Sequence, residues 1–371
     1  MGDLLLTALW WLVLATLLSS VRSWRGLSLL SPARWWLPAT LLAVLSLLLL
    51  PRLRAIQWPM ALAASALGLA TFLLLAIWHT RRQPWEPLLA PGEHAGRRIC
   101  AVEVPIAGGP LPGLLVEPLN GSQVGVLVLH GAGDHKAFYA WPRLYALADA
   151  GFAALAIDVD GHGANPRPLD FPAVLEDVAA GVAWLRQRYQ QVAVIGISQG
   201  GCIAARAVAE GLNVDALVIM AAPISVTVTR AVIRREALIV LHPAAWALLR
   251  DLGALPLLRM WRSGGIRGKI SYVDLIQRLD LLGSVARIRC PLLLCYAAHD
   301  AVVPRRQALA IAAAAPPGAT FMLVRGATHL SLPIDRRALR RVSAWLQEAL
   351  TTTARLDESP VAAPPRDSHA R

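Results

Sequence analysis

The chain has 371 residues, 56% of them hydrophobic, with a formal net charge of +12 and a mean hydropathy of +0.50. Soluble domains run at roughly 45–50% apolar, so the composition argues against an ordinary soluble protein, and the length exceeds one average domain. The positive charge is nearly all arginine, Lys136 and Lys269 being the only lysines; with no aromatic-basic groove or nucleic-acid motif, it points to a membrane surface and not to nucleic acid.

The apolar excess lies at the N-terminus. Leu4 to Val21 is about 18 uncharged residues, Trp35 to Leu50 about 16 with Pro38 inside, and Ile56 to His79 about 24. These read as about three transmembrane helices in residues 1–80. Trp10, Trp11, Trp35, Trp36, Trp58 and Trp78 lie mostly near run ends, where an indole prefers the interface. The first run lacks the basic start of a secretory signal and reads as an uncleaved span. Arg22, Arg25 and Arg34 in the first loop, and Arg81, Arg82, Arg97 and Arg98 after the third run, exceed Arg52 and Arg54 in the second loop. The arginine-rich side is the cytoplasmic one, so a multi-pass membrane protein with a cytoplasmic C-terminal domain is expected. Residues 81–98, with Pro84 and Pro87, read as a linker.

Residues 99–350 alternate short apolar strands with helical patterns. The predicted strands are Val124–His130, Phe152–Asp158, Val192–Ile197, Ala216–Ala222, Pro291–Tyr296 and Thr320–Val324, with helices beginning near Phe138, Pro172, Gln199, Arg305 and Asp335. That pattern means an α/β fold whose mostly parallel sheet is covered on both faces. An antiparallel hairpin, Ile99–Pro105 and Gly113–Glu117, should precede it, turned by Gly108-Gly109-Pro110. The stretch 224–288 is too long for a strand-to-strand crossover and reads as a helical cap insertion over the carboxyl ends of the strands. It is basic overall, although it carries Glu236, Asp251, Asp274 and Asp280. From 351 to 371, prolines and mixed charge read as a disordered tail. Cys100, Cys202, Cys290 and Cys295 make no disulfide framework and read as small core residues.

Chemistry concentrates in the loops after the strands. Gly196-Ile197-Ser198-Gln199-Gly200 leaves a strand and opens a helix, with glycines that let the chain turn sharply and expose Ser198 as a nucleophile. His130-Gly131-Ala132-Gly133-Asp134-His135 ends the first parallel strand, where small residues let backbone N–H groups approach a developing oxyanion; Ala132 and Gln199 are the expected donors. A serine nucleophile needs a base and an orienting acid. His329, in Gly326-Ala327-Thr328-His329, and Asp300, in His299-Asp300-Ala301-Val302-Val303-Pro304, each follow a predicted strand. His130 and His135 should shape their loop. Asp158-Val159-Asp160-Gly161-His162-Gly163 is too crowded for a metal and reads as a structural loop.

Together, HGAGDH, DVDGHG, GISQG, HDAVVP and GATH resemble, in order and spacing over about residues 99–350, the α/β-hydrolase superfamily. The HGAGDH and DGHG pair looks like its monoacylglycerol lipase and serine aminopeptidase-like branch. The resemblance implies a triad of Ser198, Asp300 and His329, an oxyanion hole from Ala132 and Gln199, and no cofactor or metal. With the apolar N-terminus, the expected protein is a membrane-anchored serine hydrolase, carboxylesterase- or lipase-like, acting on a small-molecule ester or lipid. The alternatives are a serine aminopeptidase-like peptidase, which needs an anionic anchor for a free amino terminus, and a non-catalytic scaffold of the same fold.

Overall fold

The computed structural model describes residues 89–357, except Tyr139, Val228 and residues 238–265. The three expected membrane spans, most of the linker, the middle of the cap insertion and the tail from 358 lie outside the described residues. Among the described residues no helix is long and apolar enough to cross a membrane.

One sheet organises this region. Its antiparallel part is β1 (Gly92–His94), β2 (Arg97–Val104) and β3 (Leu111–Pro118). Its parallel part is β4 (Val124–Leu129), β5 (Ala153–Ile157), β6 (Gln191–Ile197), β7 (Ala216–Met220), β8 (Leu292–Ala297) and β9 (Thr320–Val324). The spatial order is β1-β2-β3-β5-β4-β6-β7-β8-β9, with β3 antiparallel to β5 where the two parts join. The hairpin falls where the sequence suggests, and Gly108 and Gly109 turn it at φ +85° and +115°, which only glycine adopts freely.

The parallel strands are apolar on both faces because helices cover both. The helices are α1 (Trp141–Asp149), α2 (Val174–Arg186), α3 (Gln199–Ala209), α4 (Arg230–Ala237), α5 (Tyr272–Leu279), α6 (Leu281–Val285), α7 (Arg305–Ala314) and α8 (Arg336–Asp357). On β4, Leu127 and Leu129 join the cluster formed with Val178 and Val182 of α2 and Ile203 of α3. Val126 and Val128 point the other way, among Trp141 and Leu144 of α1 and Val342 and Leu346 of α8. The period-two alternation of the pleat thus feeds two cores, and burying a strand leucine or valine contributes about 1.5–3 kcal/mol.

Three boundaries differ from the sequence reading. The sheet begins at Gly92, inside the expected linker, because β1 is only Gly92-Glu93-His94 and a polar edge strand of that length has no readable period. Helix α8 runs to Asp357, beyond Leu350, where the tail was expected to begin. The last part of the cap insertion is core: Leu275, Ile276 and Leu279 of α5 and Leu281 and Val285 of α6 are buried in the same cluster as α3. Polar ends delimit these two short helices. The Ser271 hydroxyl accepts the Asp274 N–H at 3.1 Å to start α5, and the Asp280 carboxylate accepts the Gly283 N–H at 3.2 Å to start α6.

From β4 the chain steps outward to β5, then crosses back over β4 to reach β6. The loops after β4 and β6 therefore face each other at the carboxyl ends of adjacent strands, the switch point at which open α/β sheets leave a crevice.

Candidate active site

Ser198 sits between β6 and α3 with φ 52° and ψ −117°, a strained conformation for a residue with a side chain. The strain is held by the packing around it. A Cβ on Gly196 would stand 2.4 Å from the Gly200 carbonyl oxygen, and one on Gly200 would stand 2.5 Å from the His130 oxygen. Strand β6, helix α3 and the end of β4 approach so closely that only glycine fits at either position. The Ser198 N–H donates to the Met220 carbonyl at 2.8 Å, tying the turn to β7.

Ser198, Asp300 and His329, 131 residues apart at the widest, meet here. His329 Nε2 lies 3.1 Å from Ser198 Oγ, and His329 Nδ1 lies 2.8 Å from Asp300 Oδ2. The other Asp300 oxygen accepts the Val302 and Val303 N–H groups at 2.8 and 2.6 Å, so the acid is locked by its own turn after β8. With Oδ2 as acceptor, Nδ1 carries the ring proton and Nε2 is free to accept the serine hydroxyl. Burial disfavours a charged imidazole at His329, but the Asp300 hydrogen bond and charge outweigh it, aided by Glu236 and Asp134, and raise its pKa above 6.5.

The turn after β4 flanks the serine. A Cβ on Gly131 would be 3.4 Å from the Ser198 Cβ, and neither the Ala132 nor the Gln199 backbone N–H donates to another group among the described residues. Both are unspent donors beside Ser198, the arrangement that an oxyanion hole would require. His130 braces this turn. Its Nε2 accepts the Val159 N–H at 3.3 Å, so its Nδ1–H donates to the Gly131 carbonyl at 2.9 Å. Burial, reinforced by His162, pushes its pKa down to about 3, which keeps the ring neutral in that role. His135 stays in the loop too, its Nδ1 accepting the Ala137 N–H at 3.3 Å.

The Asp158–Gly163 loop is a fastening. Asp158, fully buried, accepts the Lys136 N–H at 2.6 Å, the Lys136 ammonium at 2.5 Å and the Ala164 N–H at 2.8 Å. Burial opposes its ionisation, but the Lys136 charge and hydrogen bonds prevail and lower its pKa. Asp160 and Asp177 share Arg167, and Asn165 donates to Asp160 at 3.1 Å. These carboxylates are consumed by cations and amides, and the loops after β4 and β5 are pinned together.

Three further side chains belong to the site. The Tyr272 phenol, at the start of α5, sits beside Ser198, and burial raises its pKa, so it remains a neutral hydroxyl. Asp134 faces His329, and burial raises its carboxyl to about 6 against the pull of Arg143 and the Gly131 N–H. Glu236, on α4, reaches the loops of both Asp300 and His329. Tyr272 and Glu236 carry no motif; only the fold brings them near Ser198. The Gln199 side-chain amide is buried, with neither its oxygen nor its nitrogen partnered among the described residues.

Among solved structures the chain is similar to DcsB, solved in complex with its substrate analogue, at 17% identity and TM-score 0.52, over 69% of this chain and 99% of that one. It is similar to a hypothetical protein from Pseudomonas aeruginosa at 21% identity and TM-score 0.50, over 69% and 95% of the two chains. It is also similar to a malate-bound thermophilic esterase from Thermogutta terrifontis at 18% identity and TM-score 0.50, over 67% and 100%. At such identities the likeness is one of fold. No curated protein matches the sequence. The model of the alpha/beta hydrolase family matches residues 126–345, more than half of the chain, a span that takes in the turn after β4, Ser198, Asp300 and His329. The chain belongs to the alpha/beta hydrolase family.

Proposed function

We propose that the chain is a membrane-anchored serine hydrolase that cleaves carboxylic esters of acyl or lipid character. The observation that carries this reading is the pair of contacts on one imidazole, 3.1 Å to Ser198 Oγ and 2.8 Å to Asp300 Oδ2. In the reaction His329 Nε2 takes the Ser198 proton as Oγ attacks the ester carbonyl. The Ala132 and Gln199 N–H groups receive the oxyanion, and Asp300 stabilises the imidazolium and fixes its tautomer. The imidazolium then protonates the leaving alcohol. Water, deprotonated by the same nitrogen, releases the acid from the acyl-serine.

Ester chemistry accords with the Thermogutta relative, itself an esterase. A lipid-like substrate follows from the apolar N-terminal runs, which would hold the site against a bilayer, and from the monoacylglycerol lipase-like HGAGDH and DGHG motifs. The aminopeptidase alternative needs a free carboxylate to receive an ammonium group. Glu236 is the buried carboxylate of the described insertion, and each of its oxygens already accepts a backbone N–H.

The test is covalent. A fluorophosphonate probe should label the purified full chain at Ser198 and abolish hydrolysis of acyl p-nitrophenyl esters, while Ser198→Ala removes both signals and leaves expression unchanged. Hydrolysis retained by Ser198→Ala would move the nucleophile elsewhere. Cleavage of aminoacyl amides in preference to esters would favour the peptidase.

A further inference from the structure

Helix α4 leaves the insertion with Arg230, Arg234 and Arg235 in solvent and Glu236 turned inward, only 5% exposed. A carboxylate is costly to bury unless its oxygens are hydrogen-bonded. Here Oε1 accepts the Ala301 N–H at 2.9 Å and Oε2 accepts the Leu330 N–H at 3.2 Å. Ala301 directly follows Asp300, and Leu330 directly follows His329. One side chain from the insertion therefore clasps the turn after β8 and the turn after β9, next to the acid and next to the base. These two turns come from separate strands; the His299 N–H donates to the Ala327 carbonyl at 3.0 Å and joins them at their bases, and Glu236 ties them again beyond that bond, one residue past Asp300 and one past His329.

We propose that Glu236 is a positioning residue that holds the Asp300 and His329 turns in register, so that the triad is fully assembled only when α4 of the insertion is docked. The proposal rests on the serine hydrolase reading. Its charge acts as well as its reach. The groups that face His329 are Asp300 from the turn after β8, Asp134 from the turn after β4, Glu236 from α4 and Ser198 from the elbow, beside which lies the neutral Tyr272 phenol; Arg143 lies behind Asp134. Glu236 is thus one of three carboxylates that favour the imidazolium formed in the transition state. The acid loop gains nothing comparable from Asp274 or Asp280, which cap α5 and α6.

Glu236→Gln keeps the shape, loses the charge and presents an amide N–H where one backbone N–H needs an acceptor. In the purified full chain its kcat for a p-nitrophenyl ester should fall roughly tenfold to a hundredfold, the loss expected when a charge-assisted hydrogen bond is removed, with KM little changed. The base must be neutral to act, and losing a nearby negative charge lowers the pKa of His329. The acid limb of kcat/KM should therefore move to lower pH. Glu236→Asp keeps the charge but cannot span both amides, so kcat falls while the acid limb stays nearer that of the parent. A folded Glu236→Gln with unchanged kcat, or with lowered kcat and an unmoved acid limb, would overturn the proposal. Hydrogen exchange on the unaltered protein is an independent arm: the Ala301 and Leu330 amides should be protected although both lie in turns, and rapid exchange of both overturns the clasp whether or not a variant folds. Absence of ester hydrolysis and of Ser198 labelling in the parent would instead overturn the hydrolase reading, and exchange would still report on the clasp.

Discussion

Asp300 shows how much one side chain decides. Its Oδ1 takes two backbone N–H groups and its Oδ2 takes the His329 proton. In Asp300→Asn the carbonyl oxygen stays with the backbone amides, so the amide NH2 points at Nδ1 and forces the ring proton onto Nε2, facing Ser198. Turnover should drop by about 10⁴, as in the analogous serine protease change, with the fold intact by circular dichroism; a loss within tenfold would point to another acid. The same contact sets the pH dependence. Because His329 is raised above 6.5, chiefly through Asp300 against the opposing effect of burial, the acid limb of kcat/KM should be centred above 6.5. Activity is present above that pKa and fades as pH falls through it. A limb centred below 6.5, measured by stopped-time ester assays across pH, would contradict this balance. Ser198, Asp300 and His329, which the fold brings into contact, could be singled out in the sequence because each sits in a short motif directly after a strand. Tyr272 and Glu236 could not, because a lone tyrosine or glutamate in a long insertion has no local signature.

At the scale of elements, the turn at Ser198 is held because β4, β6 and α3 approach within backbone contact. Gly200→Ala tests this directly: the added carbon would meet the His130 and Leu129 carbonyl oxygens at 2.5 and 2.7 Å, and neither atom belongs to a flexible side chain. Relieving that overlap means moving α3 or the turn after β4. The variant should lose about 1–3 kcal/mol or more of stability and, because Gln199 and Ala132 move apart, most of its kcat. Denaturation in urea and the same ester assay would check both, and a parental kcat would show that the close approach is unnecessary. The alternating apolar strands and intervening helices were readable because β4 to β9 have helices on both faces and so are apolar throughout. Strand β1 and the fusion of α5 and α6 with the core were not, since a polar three-residue edge strand and two short helices owe their places to partners distant in the chain.

For the whole molecule, the membrane anchoring and the cytoplasmic side of the domain are proposals carried by Leu4–Val21, Trp35–Leu50, Ile56–His79 and the flanking arginines. Cys100, Cys202, Cys290 and Cys295 are all unpaired, and Cys202 and Cys295 are buried, as suits small core residues. Unpaired thiols accord with a reducing compartment. Alkaline phosphatase fused after Arg82 should be inactive, and a fluorescent protein fused there should glow. Active phosphatase with a dark fluorescent protein would reverse the orientation and place the ester substrate on the far side of the membrane. Pro38 in the short second run is the point on which this outcome turns, because two spans in place of three would also reverse it.

By itself the sequence determined the alternation of strand and helix and the resemblance to the family, and it singled out Ser198, Asp300 and His329 as candidates, since these are written in local periodicity and in motifs a few residues long. The tertiary structure decided which loops meet. The order of β5, β4 and β6 sets the turn after β4 against the serine elbow on one side and against the turn after β5 on the other, where the Val159 N–H fixes the tautomer of His130. It also decided that part of the insertion is core, and that Glu236, 65 residues before Ala301, accepts the backbone N–H groups that follow Asp300 and His329. Those contacts join segments far apart in the chain. Their geometry is set by packing and burial, which no window of sequence contains.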